Sequence, residues 1–468
     1  MKYSWKNIQY ALAFAIVAAG GMTGCDDDDF EMVVAEEKPQ TVYNPWHADD
    51  EQEDELELVE MARDGWESCI TVKKDKTYDR YFTRDRGMNG CDGVYTTELP
   101  DGNIFWSFGD SFFGMLSDPT LRIRGGNESN FPRNAVIIQT KENYNGFHCL
   151  NELVQIDDRF RSDYYKGRTF LRHPKGEQTD ADIKAGSIDQ KYYYWPGDAT
   201  VIERNGKKIL QVLWGECFKT DDGGMGRDGT ALTEYDLTGK PGDETYMKQI
   251  SYKSLSETYI TNYGSAVFEC EDDGHTYLYG DAERKDGSKG PVVARTKSGY
   301  DLGGKWEYYV NKGTESEPDF VWQDDAPTQD ELKISQIMHW WGAQPNVFKH
   351  GNYYYMVSQE PLGRDVWLHR STTPYGPFVS PVNRDTRKRV FSIPDKLDKL
   401  GDPSHGWIYN VFVHHGLSKD GELVISFNSE APRDGGFARN FNEVGCADFY
   451  RPYFFRIYGW ENAWKENE

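Results

Sequence analysis

Two aspartates, Asp92 and Asp110, have the spacing in this chain that best suits catalysis. They lie at equal distances in sequence on either side of Asp101, in the turn Pro100-Asp101-Gly102. In a hairpin with a three-residue loop, such residues oppose each other on one face, with Cβ atoms about 4.5–5.5 Å apart. Two carboxylates in one site push their pKa values apart, so that one donates a proton while the other stays ionised. Glycoside hydrolases work with such a pair.

The elements that must position this pair are β-hairpins. Five times a polar turn that ends in glycine leads into a strand-like run that closes on a polar or acidic residue. The intervals between the turn glycines, 104, 68, 77 and 70 residues, indicate a radially repeated all-β fold. We predict a five-bladed β-propeller, with a six-bladed ring as the alternative. The turn glycines are Gly102, Gly206, Gly274, Gly351 and Gly421.

Further strands are expected beside each hairpin. Residues 149–156 are the candidate for the fourth strand of the first blade. Residues 69–80 are expected to close the last blade, which would leave no free sheet edge. The candidate third strands are residues 134–139, 230–237, 291–298, 365–371 and 449–458.

Polar and aromatic residues near other inner strands could face the same axis. Asp198 could tune a catalytic carboxylate or bind a hydroxyl group. Sugar rings stack on aromatic faces, while fixed amides and carboxylates bind their hydroxyl groups. Blade packing is the alternative role for the tryptophans, and a turn role for the histidine. The candidate substrate-binding residues are Arg133, Asn134, Trp195, Trp341, Gln344, Asn346, His405 and Tyr409.

Several segments resemble a known family. Residues 90–95 and 105–112 resemble the first blade of the endo-D-arabinanase-type five-bladed propeller glycoside hydrolases. They are still more similar to the uncharacterised lipoprotein relatives of those enzymes, which carry a domain of unknown function. Residues 410–428 resemble the last blade of the same group, and residues 369–378 resemble a blade-closing segment of arabinanase and xylosidase propellers. The resemblance implies an acid/base or nucleophile role for the two aspartates of the first hairpin, Asp92 and Asp110.

The N-terminus is typical of an exported lipoprotein. Lys2 and Lys6 precede an apolar stretch that is shorter than the roughly 20 residues needed to span a bilayer. The small residues before Cys25 resemble a lipobox, which implies cleavage there and lipid on the sulfur; an ordinary signal peptide is the alternative. The acidic run 26–29 resembles the surface-export signal of Bacteroides-group lipoproteins. We therefore predict an outer-membrane lipid anchor with the protein facing the exterior, and a periplasm-facing lipoprotein is the alternative.

Charge divides the chain into three predicted regions: a signal peptide (1–24), a flexible acidic tether (25–60) and a catalytic propeller domain (61–468). The chain has a net charge of −24, and residues 26–60 alone contain 15 Asp or Glu against one Lys. Such a segment stays solvated and extended. The acidity argues against nucleic acid as a partner.

The cysteines give no sign of a metal site. None of the seven forms a Cys-x-x-Cys pair, and we expect the six after Cys25 to be buried free thiols. No cofactor is expected, although an axial Ca²⁺ is compatible with an acidic propeller. We expect a monomer that touches the membrane only through its lipid anchor.

The combined prediction is a glycoside hydrolase that cleaves an extracellular, furanoside-containing polysaccharide of the arabinan type. The alternative is a non-catalytic glycan-binding lipoprotein on the same fold, which would need the aromatic platforms without the acid pair. A turn-capping role is the alternative for either aspartate alone, because Asp beside Gly is common in turns.

Overall fold

Five antiparallel sheets of four or five strands make up most of the structure, with two smaller sheets beside them. This confirms the all-β prediction. None of the helices in the described part of the chain is long and apolar enough to cross a membrane. The computed structural model describes residues 56–59, 69–141, 143–155, 165–176, 179–185, 191–255, 263–338, 346–359, 363–378, 387–394, 408–419, 421–431 and 436–467.

The first hairpin lies within a longer ribbon, because its two strands continue past the acid pair into a side sheet. The elements of this part of the chain are β1 (Leu56–Leu58), β2 (Thr71–Asp75), α1 (Lys76–Tyr81), β3 (Arg86–Cys91), β4 (Tyr95–Glu98), β5 (Ile104–Phe108), β6 (Ser111–Asp118), β7 (Ile123–Asn130), β8 (Ala135–Thr140), β9 (Asn143–Cys149), β10 (Leu153–Gln155), β11 (Tyr165–Gly167) and α2 (Asp180–Lys184). Strands β4, β5, β8 and β9 form the first large sheet, and β3, β6 and β7 form the side sheet. Strands β10 and β11 pair separately.

The next three large sheets each follow the chain in order, strand beside strand. The second consists of β12 (Tyr192–Arg204), β13 (Lys207–Lys219), β14 (Met225–Asp236) and β15 (Lys248–Ser254). The third consists of β16 (Ala266–Cys270), β17 (His275–Glu283), β18 (Lys289–Thr296), β19 (Trp306–Asn311) and β20 (Phe320–Gln323), and α3 (Gln329–Leu332) follows it. The fourth consists of β21 (Asn346–His350), β22 (Tyr353–Gln359), β23 (Asp365–Ser371) and β24 (Arg387–Ser392).

The fifth sheet joins the two ends of the folded chain. Its late strands are β25 (Ile408–Val413), β26 (Glu422–Ser429) and β27 (Arg451–Tyr458), with 3₁₀ turns at His415–Leu417, Gly436–Asn440, Cys446–Asp448 and Trp460–Asn467. The strand order of the fifth sheet is β25-β26-β27-β2-β1, so the segment before the first hairpin pairs with the last strand, as predicted. Only Thr71–Asp75 of the predicted 69–80 segment is strand, and the helix α1 follows it directly.

A buried ionic cluster fixes this closure. Asp75 binds the Nε of Arg456 at 2.8 Å, and Glu422 binds its Nη1 at 2.7 Å. The other oxygen of Asp75 accepts a hydrogen bond from the backbone N–H of Tyr78 at 2.9 Å and caps helix α1. Removing one partner of a buried ion pair costs about 3–5 kcal/mol, so the cluster ties β2 firmly to β27.

The hydrophobic core lies between neighbouring sheets, each of which packs against the next. The fifth sheet in turn packs against the first, where Trp106 of β5 contacts Phe454 of β27 with ring centroids 6.2 Å apart. Between the first and second sheets, Phe105 and Trp214 belong to another buried cluster. Each sheet therefore has both faces covered, apart from its edges.

Two predictions about the chain need correction. The fourth strand of the first sheet is β9, not 149–156, because the Asn151 side chain accepts the Val136 N–H at 3.0 Å and ends the backbone pairing there. The six described cysteines are free, but Cys69 is exposed and Cys149 is partly exposed. Strand β1 lies within the predicted tether, residues 25–60, and its Glu57 pairs with Lys76 at 2.6 Å. The domain boundaries stay a prediction.

Candidate functional site

Asp92 and Asp110 oppose each other in the first ribbon, as the sequence predicts. Strand β3 pairs with β6, and β4 pairs with β5, in one register that continues through both aspartates. Between these pairings the backbone N–H of Asp92 donates to the carbonyl oxygen of Asp110 at 3.1 Å. The ribbon therefore holds the two residues side by side.

Gly109 leaves space for the Asp92 carboxylate. Its N–H donates to the carbonyl oxygen of Asp92 at 2.7 Å, which holds the two residues against each other across the ribbon. A Cβ atom at position 109 would lie 2.3 Å from Oδ1 of Asp92. Only glycine leaves room for the carboxylate here.

Asp92 lies in surroundings that favour its protonated form. Burial raises its pKa to about 8, with further contributions from the negative charges of Asp110 and Glu430. Two tyrosine hydroxyls oppose this shift by donating to its Oδ2, Tyr450 at 2.8 Å and Tyr409 at 3.3 Å. The side chain nevertheless keeps some accessible surface. Asp92 can therefore hold a proton at neutral pH and present it to a ligand.

Asp110 has partners that stabilise its ionised form. Its Oδ2 binds Nη1 of Arg133 at 3.0 Å, and its Oδ1 accepts the indole N–H of Trp195 at 3.0 Å. Burial raises the pKa of Asp110 above its usual value, and Arg133 and Trp195 limit that rise without cancelling it. The pair therefore contains two carboxyl groups of unequal character, which is what acid–base chemistry requires.

Glu430 is a third carboxyl group at this site, and the sequence interpretation missed it. Its Oε1 accepts hydrogen bonds from the Ala431 N–H at 2.9 Å and from the Asn440 amide at 3.2 Å. Its Oε2 is buried and has no hydrogen-bond partner among the described residues. Burial raises its pKa to about 7. A signal was present in the sequence, because Glu430 closes the fifth hairpin as Asp110 closes the first.

Tyr450 is the other missed residue, and its backbone is unusual. Its φ angle of 59° lies in the left-handed region, which is rare for an aromatic residue. Its N–H donates to the carbonyl oxygen of Ser429 at 2.7 Å, and its own carbonyl accepts the Cys91 N–H at 2.6 Å. These bonds lock the residue between the first and fifth sheets, with its hydroxyl on Asp92.

Two predicted site residues have structural partners. Asn134 is fully buried, and its amide donates to the carbonyl oxygens of Leu171 and Tyr194. Asp198 accepts the N–H groups of Ala199 and Val267, both at 2.9 Å, and thereby links the second and third sheets. Burial raises its pKa to about 6, but Glu430, rather than Asp198, supplies the additional charge that acts on Asp92.

Asn346 lies in the wall of an axial cavity rather than beside the acid pair. Its Oδ1 accepts the Val413 N–H at 2.9 Å. The cavity has a volume of about 220 Å³, and the first strand of each large sheet, β4, β12, β16, β21 and β25, contributes to its wall. Trp341, Gln344, His405 and Cys25 lie outside the described residues.

Five of the predicted binding or catalytic residues are thus joined directly to a partner in the site. Trp195 and Arg133 bind Asp110, and Tyr409 binds Asp92. Trp195 is also partly exposed, so its ring could contact a ligand. Within the described ranges, no three His, Cys, Asp or Glu side chains are grouped to hold a metal ion. The axial Ca²⁺ stays a prediction.

One protein family matches most of this chain. Its model covers residues 75–460 and is described as a domain of unknown function, DUF5005. A crystal structure of a Bacteroides ovatus protein, provisionally assigned as a hydrolase, is 42% identical, with a TM-score of 0.77 over 88% of this chain and 96% of that one. The predicted relationship to proteins with a domain of unknown function is confirmed, whereas the link to endo-D-arabinanases stays a prediction. No curated protein matches the chain.

Two glycoside hydrolase structures show much weaker likeness. An α-L-arabinofuranosidase from Lactobacillus brevis is 10% identical, with a TM-score of 0.37 over 79% of this chain and 91% of that one. A thermostable family-43 glycoside hydrolase is 16% identical, with a TM-score of 0.34 over 80% and 91%. Structural similarity at these TM-scores is not evidence for the function of this chain.

We expect Asp92→Asn to stabilise the protein increasingly as pH rises. Because the pKa of Asp92 is raised by folding, from 3.8 to about 8, the wild type loses stability between those values while the variant does not. The difference in unfolding free energy should grow by at most about 1.4 kcal/mol per pH unit and level off above pH 8. Urea unfolding at pH 5, 7 and 9 measures it. Asp221→Asn, at a side chain that is 98% exposed, is the control, and a pH-independent difference for Asp92→Asn would contradict the expectation.

Proposed function

The chain belongs to the DUF5005 family, a domain of unknown function, and we propose that it is a glycoside hydrolase acting on an extracellular polysaccharide. One observation carries the proposal. A single ribbon holds two carboxyl groups in opposition, and their surroundings differ: Asp92 favours its protonated form, whereas Asp110 is paired with Arg133. Opposed like charges are destabilising, so their retention at a partly accessible site favours use in chemistry over a structural role.

The unequal surroundings assign a role to each carboxyl group. Asp92, which holds its proton at neutral pH, would act as general acid on the glycosidic oxygen. Asp110, whose negative charge Arg133 and Trp195 stabilise, would stabilise or attack the positively charged sugar ring, directly or through a water molecule. The carboxyl separation with substrate bound decides between these two courses.

Two aromatic residues would orient the sugar. Trp195 is partly exposed, and its indole N–H is fixed by Asp110, so its ring has a set direction. Tyr193 packs edge-on against it with ring centroids 5.4 Å apart. A sugar stacked on Trp195 would place its glycosidic bond near both carboxyl groups.

The finer predictions of fold and substrate join the proposal here. Five large sheets pack in succession, and the fifth packs against the first, which supports a five-bladed propeller over the six-bladed alternative. A furanoside-containing substrate rests on the family resemblance of the first and last hairpins. The provisional hydrolase assignment of the Bacteroides ovatus protein agrees with a hydrolytic function.

Substitution of either aspartate should abolish turnover and retain glycan binding. We expect Asp92→Asn and Asp110→Asn each to lower kcat on a responsive glycan by about 10²–10⁴-fold, because each removes one proton-transfer or charge-stabilising group. A panel of furanoside and pyranoside polysaccharides, followed by reducing-end release, identifies the responsive glycan. Asp221→Asn is the matched control. Glycan binding without turnover by the wild type would instead favour the non-catalytic binding protein.

Glu430→Gln should move the pH optimum downwards. The negative charge of Glu430 raises the pKa of Asp92, so its removal lowers that pKa. The general acid then loses its proton at lower pH, and the alkaline limb of the kcat/KM profile shifts towards acid. A profile between pH 4 and 10 measures the shift. An unchanged alkaline limb would separate Glu430 from the acid pair.

We also propose that the protein is a monomer anchored by lipid on Cys25 to the outer membrane and exposed at the cell surface. The lipobox-like residues before Cys25 and the acidic run after it support this location. Labelling with radioactive palmitate in the native cells should mark the wild type and spare Cys25→Ala. External protease should remove the protein from intact cells, and protection from it would indicate the periplasmic face.

A further inference from the structure

Arg227 lies on β14 of the second sheet, on the same sheet face as Tyr193. In the second sheet it pairs across strands with Cys217, which in turn pairs with Tyr193. Cross-strand partners lie on one face of a sheet, so these three side chains form a row. The other end of the row is at the acid pair, because the Tyr193 ring lies 4.4 Å from the guanidinium of Arg133.

The same row links the electrostatics of Arg227 to the acid pair. The positive charge of Arg227 opposes the rise in the pKa of the Tyr193 phenol, a rise to which Asp110 contributes. The pKa of Tyr95, in the first inner strand β4, is likewise lowered by the charge of Arg227 and raised by that of Asp92. Arg227 and the two carboxyl groups are therefore close enough to act on the same tyrosines, Tyr193 and Tyr95.

The charge of Arg227 is only partly balanced. Its Nη1 lies 3.9 Å from Oδ1 of Asp281, while the other oxygen of Asp281 binds Lys289 at 2.9 Å. The single negative charge of Asp281 is therefore shared between Arg227 and Lys289, so these three side chains together carry one positive charge. The side chain of Arg227 is 43% exposed, against 14% for Asp281. The guanidinium is therefore open to an additional anion.

This local positive charge stands out in a chain of net charge −24. An anionic polymer would be repelled by most of the surface, so binding requires a cation at the site itself. A guanidinium matches the geometry of a carboxylate and can bind it through two parallel N–H groups. We propose that Arg227 binds the carboxylate of an acidic sugar, so that the substrate is a furanoside-containing polysaccharide that also carries uronate.

This inference rests on the proposed glycoside hydrolase function, and equilibrium binding tests it separately from turnover. The probes are the trisaccharides of galacturonate, mannuronate and guluronate, each beside its neutral methyl ester. Binding is measured by calorimetry in the full-length protein and in Arg227→Gln, Arg227→Lys and Lys297→Gln. Lys297 is a matched control, because it is 47% exposed and pairs with Asp324 elsewhere on the third sheet.

We expect at least one uronate to bind the wild type about tenfold more tightly than its methyl ester, the size of one charge-assisted hydrogen bond. Arg227→Gln should remove that preference, Arg227→Lys should keep part of it, and Lys297→Gln should leave it unchanged. The inference is overturned if no uronate is preferred, if Arg227→Gln keeps the preference, or if a sulfated trisaccharide binds more tightly than every uronate. Absence of turnover on every glycan, with the uronate preference intact, would refute the hydrolase alone.

Discussion

The close opposition of two carboxyl groups across one β-ribbon is the constraint on which the site depends. Water screens such a pair well, but the low dielectric of a protein interior makes double ionisation costly. The ribbon cannot relieve the cost by slipping, because its register is the same on both sides of the aspartates. The protein must therefore make the two groups different, and it does so through residues from other sheets.

Those differences come from opposite sides of the ribbon. Asp110 receives Arg133 and Trp195, the latter from the second sheet, while Asp92 receives the hydroxyls of Tyr409 in β25 and of Tyr450 just before β27. A guanidinium stabilises negative charge far more than a phenol does. The asymmetry of the acid pair is thus an asymmetry between its two neighbouring sheets.

Closure of the fifth sheet has a direct consequence for the site. Tyr450 immediately precedes β27, the strand that β2 joins through the buried Asp75–Arg456 pair. The left-handed backbone at Tyr450 is tolerated because neighbouring strands hold both of its backbone groups. The same closure places Glu430, at the end of β26, beside the protonated aspartate. A structural device far from the ribbon therefore contributes to its chemistry.

Local sequence determined the hairpins, the all-β class and the opposition of Asp92 with Asp110, because a glycine turn and the twofold alternation of a strand fix register over a few residues. The tertiary structure alone decided which side chains reach that pair. Asn134 was an equally suitable candidate in the sequence, yet its side-chain amide donates to two backbone carbonyl oxygens. Tyr450 is 358 residues away from Asp92 along the chain and still donates to it. No local pattern records such a contact, since it depends on which sheets become neighbours when the fold closes.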